Sequence, residues 1–166
     1  EQLGQTSDAL IRRIFGQVYP MLMACSPEQR ARYLAPTIKG DKICAMAITE
    51  PDAGSDAAAI QTTAKLANGE WVLNGTKHFI SDGDIADYII VMALTDPEKR
   101  AHGGITLFLV DKDTPGFSVA RTQPMMGHHG YGHAELVFSD CRIPEDRMLG
   151  ELGNGFRLIM ESVSAV

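Results

Sequence analysis

The chain has 166 residues, 45% of them hydrophobic and 22% charged, with a formal net charge of −6. That balance supports one buried core and argues against a disordered chain, while the acidic surplus opposes a general nucleic-acid or anionic-membrane surface, either of which needs a basic face. Cys25, Cys44 and Cys141 are odd in number and lack CxxC spacing, so neither a disulfide framework nor a thiolate zinc site is indicated, and a reducing compartment, bacterial cytoplasm or organelle matrix, is expected.

Leu10, Ile11, Ile14, Phe15 and Val18 recur at three- and four-residue spacing, predicting an amphipathic helix over 7–19 that Pro20 tends to end. Ser26-Pro27-Glu28-Gln29 has the form of a capping box and predicts a short helix to about Leu34, broken by Pro36 and Gly40-Asp41. A domain boundary is expected near Asp41, where the apolar period changes from about 3.6 to about 2. Strand-length runs then follow at 43–49, 61–66, 71–73, 77–80, 88–94, 105–111, 117–122 and 134–138. Asn68-Gly69 is the strongest hairpin signal, because a type I′ loop needs positive φ at both central residues. Asn74-Gly75, Asp82-Gly83 and Thr114-Pro115-Gly116 punctuate the rest. The expected fold is mainly β: an antiparallel barrel or sandwich over 41–150, flanked by helical segments at 1–40 and 151–166.

No apolar run approaches the ~20 residues that span a bilayer, and no membrane insertion is expected. The chain opens on Glu1, without a secretory-type leader, and a helical pattern from Asn154 is still in phase at Val166. The sequence therefore reads as a piece of a longer protein.

Two stretches carry the chemistry. In the first, the apolar run Ala45-Met46-Ala47-Ile48 leads into Thr49-Glu50-Pro51-Asp52-Ala53-Gly54-Ser55-Asp56, a turn with a fixed φ at Pro51, an open backbone at Gly54, and hydroxyls at Thr49 and Ser55. It reads as a ligand loop, with a plain structural turn as the alternative. In the second, Gly75-Thr76-Lys77-His78-Phe79-Ile80-Ser81-Asp82-Gly83, strict alternation puts Phe79 and Ser81 on one side of a strand, so that a flat ligand packed on the ring meets the hydroxyl at its edge. A core Phe and a strand-end Ser are the alternative there. Glu50, Asp52 and Asp56 are read as exposed turn and cap acids, not as catalytic groups. His128, His129 and His133 lie in a Gly-rich segment without an evident carboxylate or thiolate partner, and no metal site is assigned to them.

Together these stretches resemble the acyl-CoA dehydrogenase family. Its middle β-domain carries a T-E-P-x-A-G-S-D loop, matched by 49–56, and then N-G-x-K-x-[WF]-I-[TS]-[ND]-G, matched by 74–83. The resemblance continues through Ala86-Asp87, Thr114-Pro115-Gly116-Phe117, Met126-Gly127, Arg142-Ile143-Pro144, Leu149-Gly150-Glu151 and Gly153-Asn154-Gly155-Phe156. It implies a flavoprotein that binds FAD and an acyl-CoA thioester and removes two hydrogens from the Cα–Cβ bond. By that resemblance Met46, Ile48 and Thr49 line the flavin, Thr49 donating to the ring edge; Gly54 and Ser55 serve cofactor and substrate; Phe79, Ile80 and Ser81 cover the other side of the ring. Phe79 stands where relatives often have Trp, and Ser81 where Thr is common. His102 falls near a position that some relatives use against the CoA portion; a solvated loop histidine is the alternative. His129 replaces the Arg of the family's M-G-x-R-G.

Dehydrogenation of a thioester needs a base at the α-carbon. In this family the base is a Glu from a C-terminal helical domain, so none is assigned within these residues, and the piece alone is expected to be inactive. Ser164, Ala165 and Val166 align with a helix that approaches substrate in relatives. The resemblance also implies electron-transferring flavoprotein as acceptor and a homotetramer for the complete protein. Two other readings are a binding or assembly module without redox activity, and a flavin oxidase or monooxygenase on the same scaffold.

Overall fold

After a 3-10 turn at Pro20–Ala24, Ser26 starts the first described α-helical stretch as its sequence predicts. Its hydroxyl accepts from the Gln29 amide at 3.2 Å, and the Ser26 amide donates to Gln29 Oε1 at 3.0 Å. In this computed structural model, which describes residues 18–126 and 132–164, the stretch does not end near Leu34. α1 (Pro27–Gln29) runs through a π-helical turn (Arg30–Leu34) into α2 (Ala35–Lys39), which closes on Gly40 at φ 80°. Pro36 lacks an amide hydrogen and its ring crowds the carbonyl one α-turn back; the wider π turn admits it without ending the helix. The Arg32 carbonyl, which an amide at position 36 meets in a regular α-helix, accepts instead from Lys42 Nζ at 3.1 Å. The expected helix over 7–19 lies outside the described residues as far as residue 17, as do His128 and His129.

Among the described residues eight strands follow: β1 (Cys44–Ala47), β2 (Thr63–Ala67), β3 (Glu70–Ser81), β4 (Tyr88–Leu94), β5 (Ile105–Asp111), β6 (Phe117–Thr122), β7 (His133–Pro144) and β8 (Met148–Leu149). They form one sheet in the order β6-β7-β3-β2-β4-β5-β8, antiparallel apart from the meeting of β2 with β4, with β1 lying parallel against β4. The mainly β architecture holds, and the hydrogen-bonded path is open, with β6 and β8 at its ends. Asn68 (φ 54°) and Gly69 (φ 80°) make the two-residue turn between paired Ala67 and Glu70. α3 (Gly155–Ser164) closes the described chain.

The runs 71–73 and 77–80 belong to a single strand, because Asn74-Gly75 is a register shift and not a turn. Opposite Asn74 the partner strand carries an extra residue, and Asn74 bonds Asp140 twice, accepting from the Asp140 amide at 2.8 Å and donating to Asp140 Oδ1 at 3.2 Å. Gly75 is required there by close approach: a Cβ would lie 2.4 Å from Thr62 Oγ1.

β4 explains the layering. All seven of its residues are buried. Tyr88, Ile90, Met92 and Leu94 face a core shared with Leu22, Tyr33 and Ile159 of the helical segments, while Ile89, Val91 and Ala93 face a second core with Trp71, Phe108, Leu136 and Phe138. The helical side is also tied by charge. Asp111 Oδ2 accepts from Arg32 Nη2 at 2.7 Å and from the Tyr33 hydroxyl at 3.1 Å, with Arg147 Nε at 4.0 Å.

Candidate functional site

The two stretches singled out in the sequence are adjacent. The His78 amide donates to the Thr49 carbonyl at 2.8 Å, and Lys77 Nζ reaches past it to the Ile48 carbonyl at 2.9 Å and to Glu50 Oε1 at 2.8 Å. Thr49 is therefore held at its own carbonyl and bracketed on both sides. Among the described residues neither its amide nor its hydroxyl has a hydrogen-bond partner. These two donors are available to a ligand.

Glu50 is not the exposed turn acid that its neighbours Pro51 and Asp52 suggest; only 5% of its surface is accessible. Its carboxylate also accepts the Gln61 amide at 2.6 Å and the Thr62 amide at 3.0 Å. A buried carboxylate needs such partners, and these donors satisfy it. Burial is the largest influence on both members of the pair. On Glu50 it is outweighed by Lys77 and the two amides, which hold the carboxyl below its ordinary range; on Lys77 it outweighs the attraction of Glu50 and pushes the ammonium down to about 8. The signal available in the sequence was Lys77 itself, an inward-facing position on a strand whose other inward residues include Trp71 and Leu73. A lysine there demands an acid, and Glu50 is the one supplied.

Past Glu50, Ala53 is buried and pairs with Glu50 through two backbone hydrogen bonds, closing the turn. Asp56 caps the helical turn Ala57–Ala59 by accepting from the Ala58 amide at 3.1 Å, the role its sequence context suggests. Gly54 and Ser55 are exposed at the tip. A Cβ on Gly54 would meet nothing within 4 Å, so the chain's own packing does not require glycine at this position.

β3 departs from alternation where the second stretch begins. Lys77 pairs with Leu136 and Ile80 with Ala134, so two residues, His78 and Phe79, stand opposite Glu135 alone. Phe79 takes φ 56°. The bulge turns both side chains to one side of the sheet, where their rings stack at 4.1 Å. It also lets Lys77 point inward while Phe79, 52% exposed, points out. Ile80 is buried in the core among Ala134, Leu136 and Val91, and its carbonyl accepts from the Gly83 amide at 3.1 Å. Ser81 Oγ lies 3.1 Å from His133 Nδ1.

Met46 and Ile48 lie two residues apart, and both are half-buried against the helical-side core. His102 is exposed on the turn Arg100–His102, which packs against Ala57–Ala59 just beyond the loop tip. A cleft of about 550 Å³ lined by Arg32, Lys42, Asp111, Lys112 and Arg147 includes none of these residues.

Residues 45–141 match the model of the acyl-CoA dehydrogenase middle domain, which is more than half of the chain. The chain belongs to the acyl-CoA dehydrogenase family. It is 46% identical to the acryloyl-CoA reductase (NADH) of Anaerotignum propionicum over 138 residues, covering 82% of this chain and 35% of that protein. It is 40% identical to the human mitochondrial short-chain specific acyl-CoA dehydrogenase over 162 residues, covering 96% and 39% respectively. Among solved structures, the FAD complex of PigA superposes with a TM-score of 0.82 at 37% identity, over 86% of this chain and 37% of that one. The chain thus spans little more than a third of each of these relatives.

Proposed function

We propose that this chain is the FAD- and acyl-CoA-binding middle portion of an enzyme that transfers hydrogens at the Cα–Cβ bond of an acyl-CoA thioester. The observation that carries this is the state of Thr49. Its carbonyl is fixed by the residue preceding Phe79, while its amide and hydroxyl stay unpartnered among the described residues beside a half-exposed aromatic ring. A flat, polar-edged heterocycle is the ligand that such a rim suits, stacking against the ring and taking hydrogen bonds at its edge.

In this proposal Met46, Ile48 and Thr49 line one side of the flavin, with Phe79, Ser81 and the backbone of Ile80 on the other. Gly54 and Ser55 approach cofactor and thioester, and His102 reaches the CoA portion. FAD, when bound, supplies the acceptor for the hydride leaving the β-carbon. The chain's own residues bind, orient and exclude water. No base is assigned among the acids around the loop: Glu50 is occupied by Lys77 and two amides, Asp56 caps a turn, Glu135 Oε2 is held by Arg121 Nε at 2.8 Å, and Asp52 lies exposed in the turn itself. Turnover by these residues alone is therefore not expected. Electron-transferring flavoprotein is the proposed acceptor, a homotetramer the proposed assembly, and bacterial cytoplasm or organelle matrix the proposed location.

The test is the visible spectrum of the full-length protein supplied with FAD, followed by anaerobic addition of acyl-CoA thioesters of several chain lengths. Bleaching of the flavin band supports the proposal, and its dependence on chain length identifies the substrate. Full-length protein that takes up no flavin rejects the proposal. Because the matched relatives include a dehydrogenase and a reductase, the same cuvette, started from reduced flavin and an enoyl-CoA, gives the working direction.

A further inference from the structure

Phe79 carries a left-handed backbone and has half its surface in solvent, and that exposure leaves the ring poorly fixed by its own packing. What it does have is His78. The β3 bulge places the two consecutive rings in a stack, centroids 4.1 Å apart and planes inclined by 30°. His78 is in turn anchored from the neighbouring strands: its Nε2 meets the Gln123 amide group at 2.7 Å and lies 3.6 Å from Glu135 Oε2, and Glu135 is itself fixed by Arg121. One face of Phe79 thus rests on a ring whose position is set by β6, the segment following it, and β7.

We infer that His78 is a positioning residue for Phe79, a ring behind the ring that orients the exposed phenyl for a flat ligand. This rests on the reading of Phe79 as a flavin-facing residue. The His78 side chain touches neither cofactor nor substrate in this arrangement; it acts by removing rotamer freedom from Phe79 before the ligand arrives, which lowers the entropic cost of binding. An alternating strand offers no such support, because adjacent side chains then point to opposite faces. The extra residue in β3 is what makes the brace possible.

The experiment uses the full-length protein and compares wild type with H78A, H78F and F79A, measuring FAD dissociation by flavin fluorescence and recording the visible circular dichroism of the bound flavin. Expected are a loss of FAD affinity of about two- to tenfold in H78A, the scale on which an aromatic pair contributes, together with an altered flavin dichroism, and partial recovery of both in H78F, which keeps the stack but loses the polar anchor. H78L, which fills the volume without a flat ring, is expected to behave as H78A does and serves if that variant does not fold. Wild-type affinity and dichroism in a folded H78A or H78L, alongside a clear loss in F79A, overturn the inference and leave the flavin reading standing. Wild-type behaviour in F79A, or no FAD uptake by wild type, overturns both.

Discussion

Lys77 Nζ lies 2.8 Å from Glu50 Oε1, with the lysine side chain fully buried and the glutamate side chain 4% exposed. The pair joins β3 to the loop that carries Thr49, so it sits where fold and site are the same structure. Removing one partner leaves the other charge buried and uncompensated, which costs on the order of 3–5 kcal/mol, whereas removing both costs far less than the sum. Lys77→Met and Glu50→Gln are each expected to be strongly destabilised in urea unfolding, and the double variant to recover part of the loss. Additive losses would show that the two side chains do not act as a pair.

The same carboxylate sets an acid limit. Glu50 has its pKa lowered in the folded chain, so its contribution is fully present above the pKa of the unfolded chain, about 4.3, and is lost as pH falls through the lower folded value. Stability measured between pH 5 and pH 2 should fall more steeply in wild type than in Glu50→Gln. Parallel curves would contradict this.

At alkaline pH the buried thiols act in the opposite direction. Burial pushes Cys25 and Cys141 from 9.0 to about 11, and Cys44 to about 12. Above pH 9 the unfolded chain loses these protons while the folded chain keeps them, so each thiol lowers stability as pH rises. Lys77, depressed to about 8 from 10.5, opposes them over that interval because there the unfolded chain holds the extra proton. A shallower decline above pH 9 in Cys44→Ala than in wild type is expected, with all three thiols unreactive toward a thiol reagent until the chain unfolds.

Two glycines separate a structural requirement from a functional one. Gly75→Ala places a Cβ 2.4 Å from Thr62 Oγ1 and 2.7 Å from Thr62 Cα, and should cost about 1–3 kcal/mol in thermal or urea unfolding. At Gly54 a Cβ meets nothing within 4 Å among the described residues, and Gly54→Val should leave stability within about 0.5 kcal/mol. In the full-length protein it should nonetheless weaken FAD or acyl-CoA binding by blocking close approach of the ligand. Unchanged affinity for both would remove Gly54 from the site.

Legibility in the sequence followed the range of the forces involved. The runs over 88–94, 105–111 and 117–122 coincide with β4, β5 and β6 because burial pattern and flanking turns are local. The capping box at Ser26 and the Asn68-Gly69 hairpin were legible for the same reason. What local pattern missed was set by partners distant in sequence. Asn74-Gly75 looks like a turn until Asp140 and Thr62 are placed against it, Pro36 looks like a stop until Lys42 takes the Arg32 carbonyl, and Glu50 looks solvated until Lys77 arrives from 27 residues away. At the candidate site the residue types in both stretches were legible, but the bulge that separates inward Lys77 from outward Phe79 was not, since it depends on the register with β7.

The junction near Asp41, where the apolar period changes, has the composition of a hinge. The contacts that cross it give it a different mechanical character. Lys42 reaches back to Arg32, and Arg32 and Tyr33 both close on Asp111, while just past the junction the Ile43 amide is pinned within the sheet side by Asp87. Ends tied at several points on either side of a short turn do not swing independently. The helical stretch and the sheet should tumble as one rigid body, and a protease offered the Gly40-Asp41 peptide should find it exposed yet slow to cut.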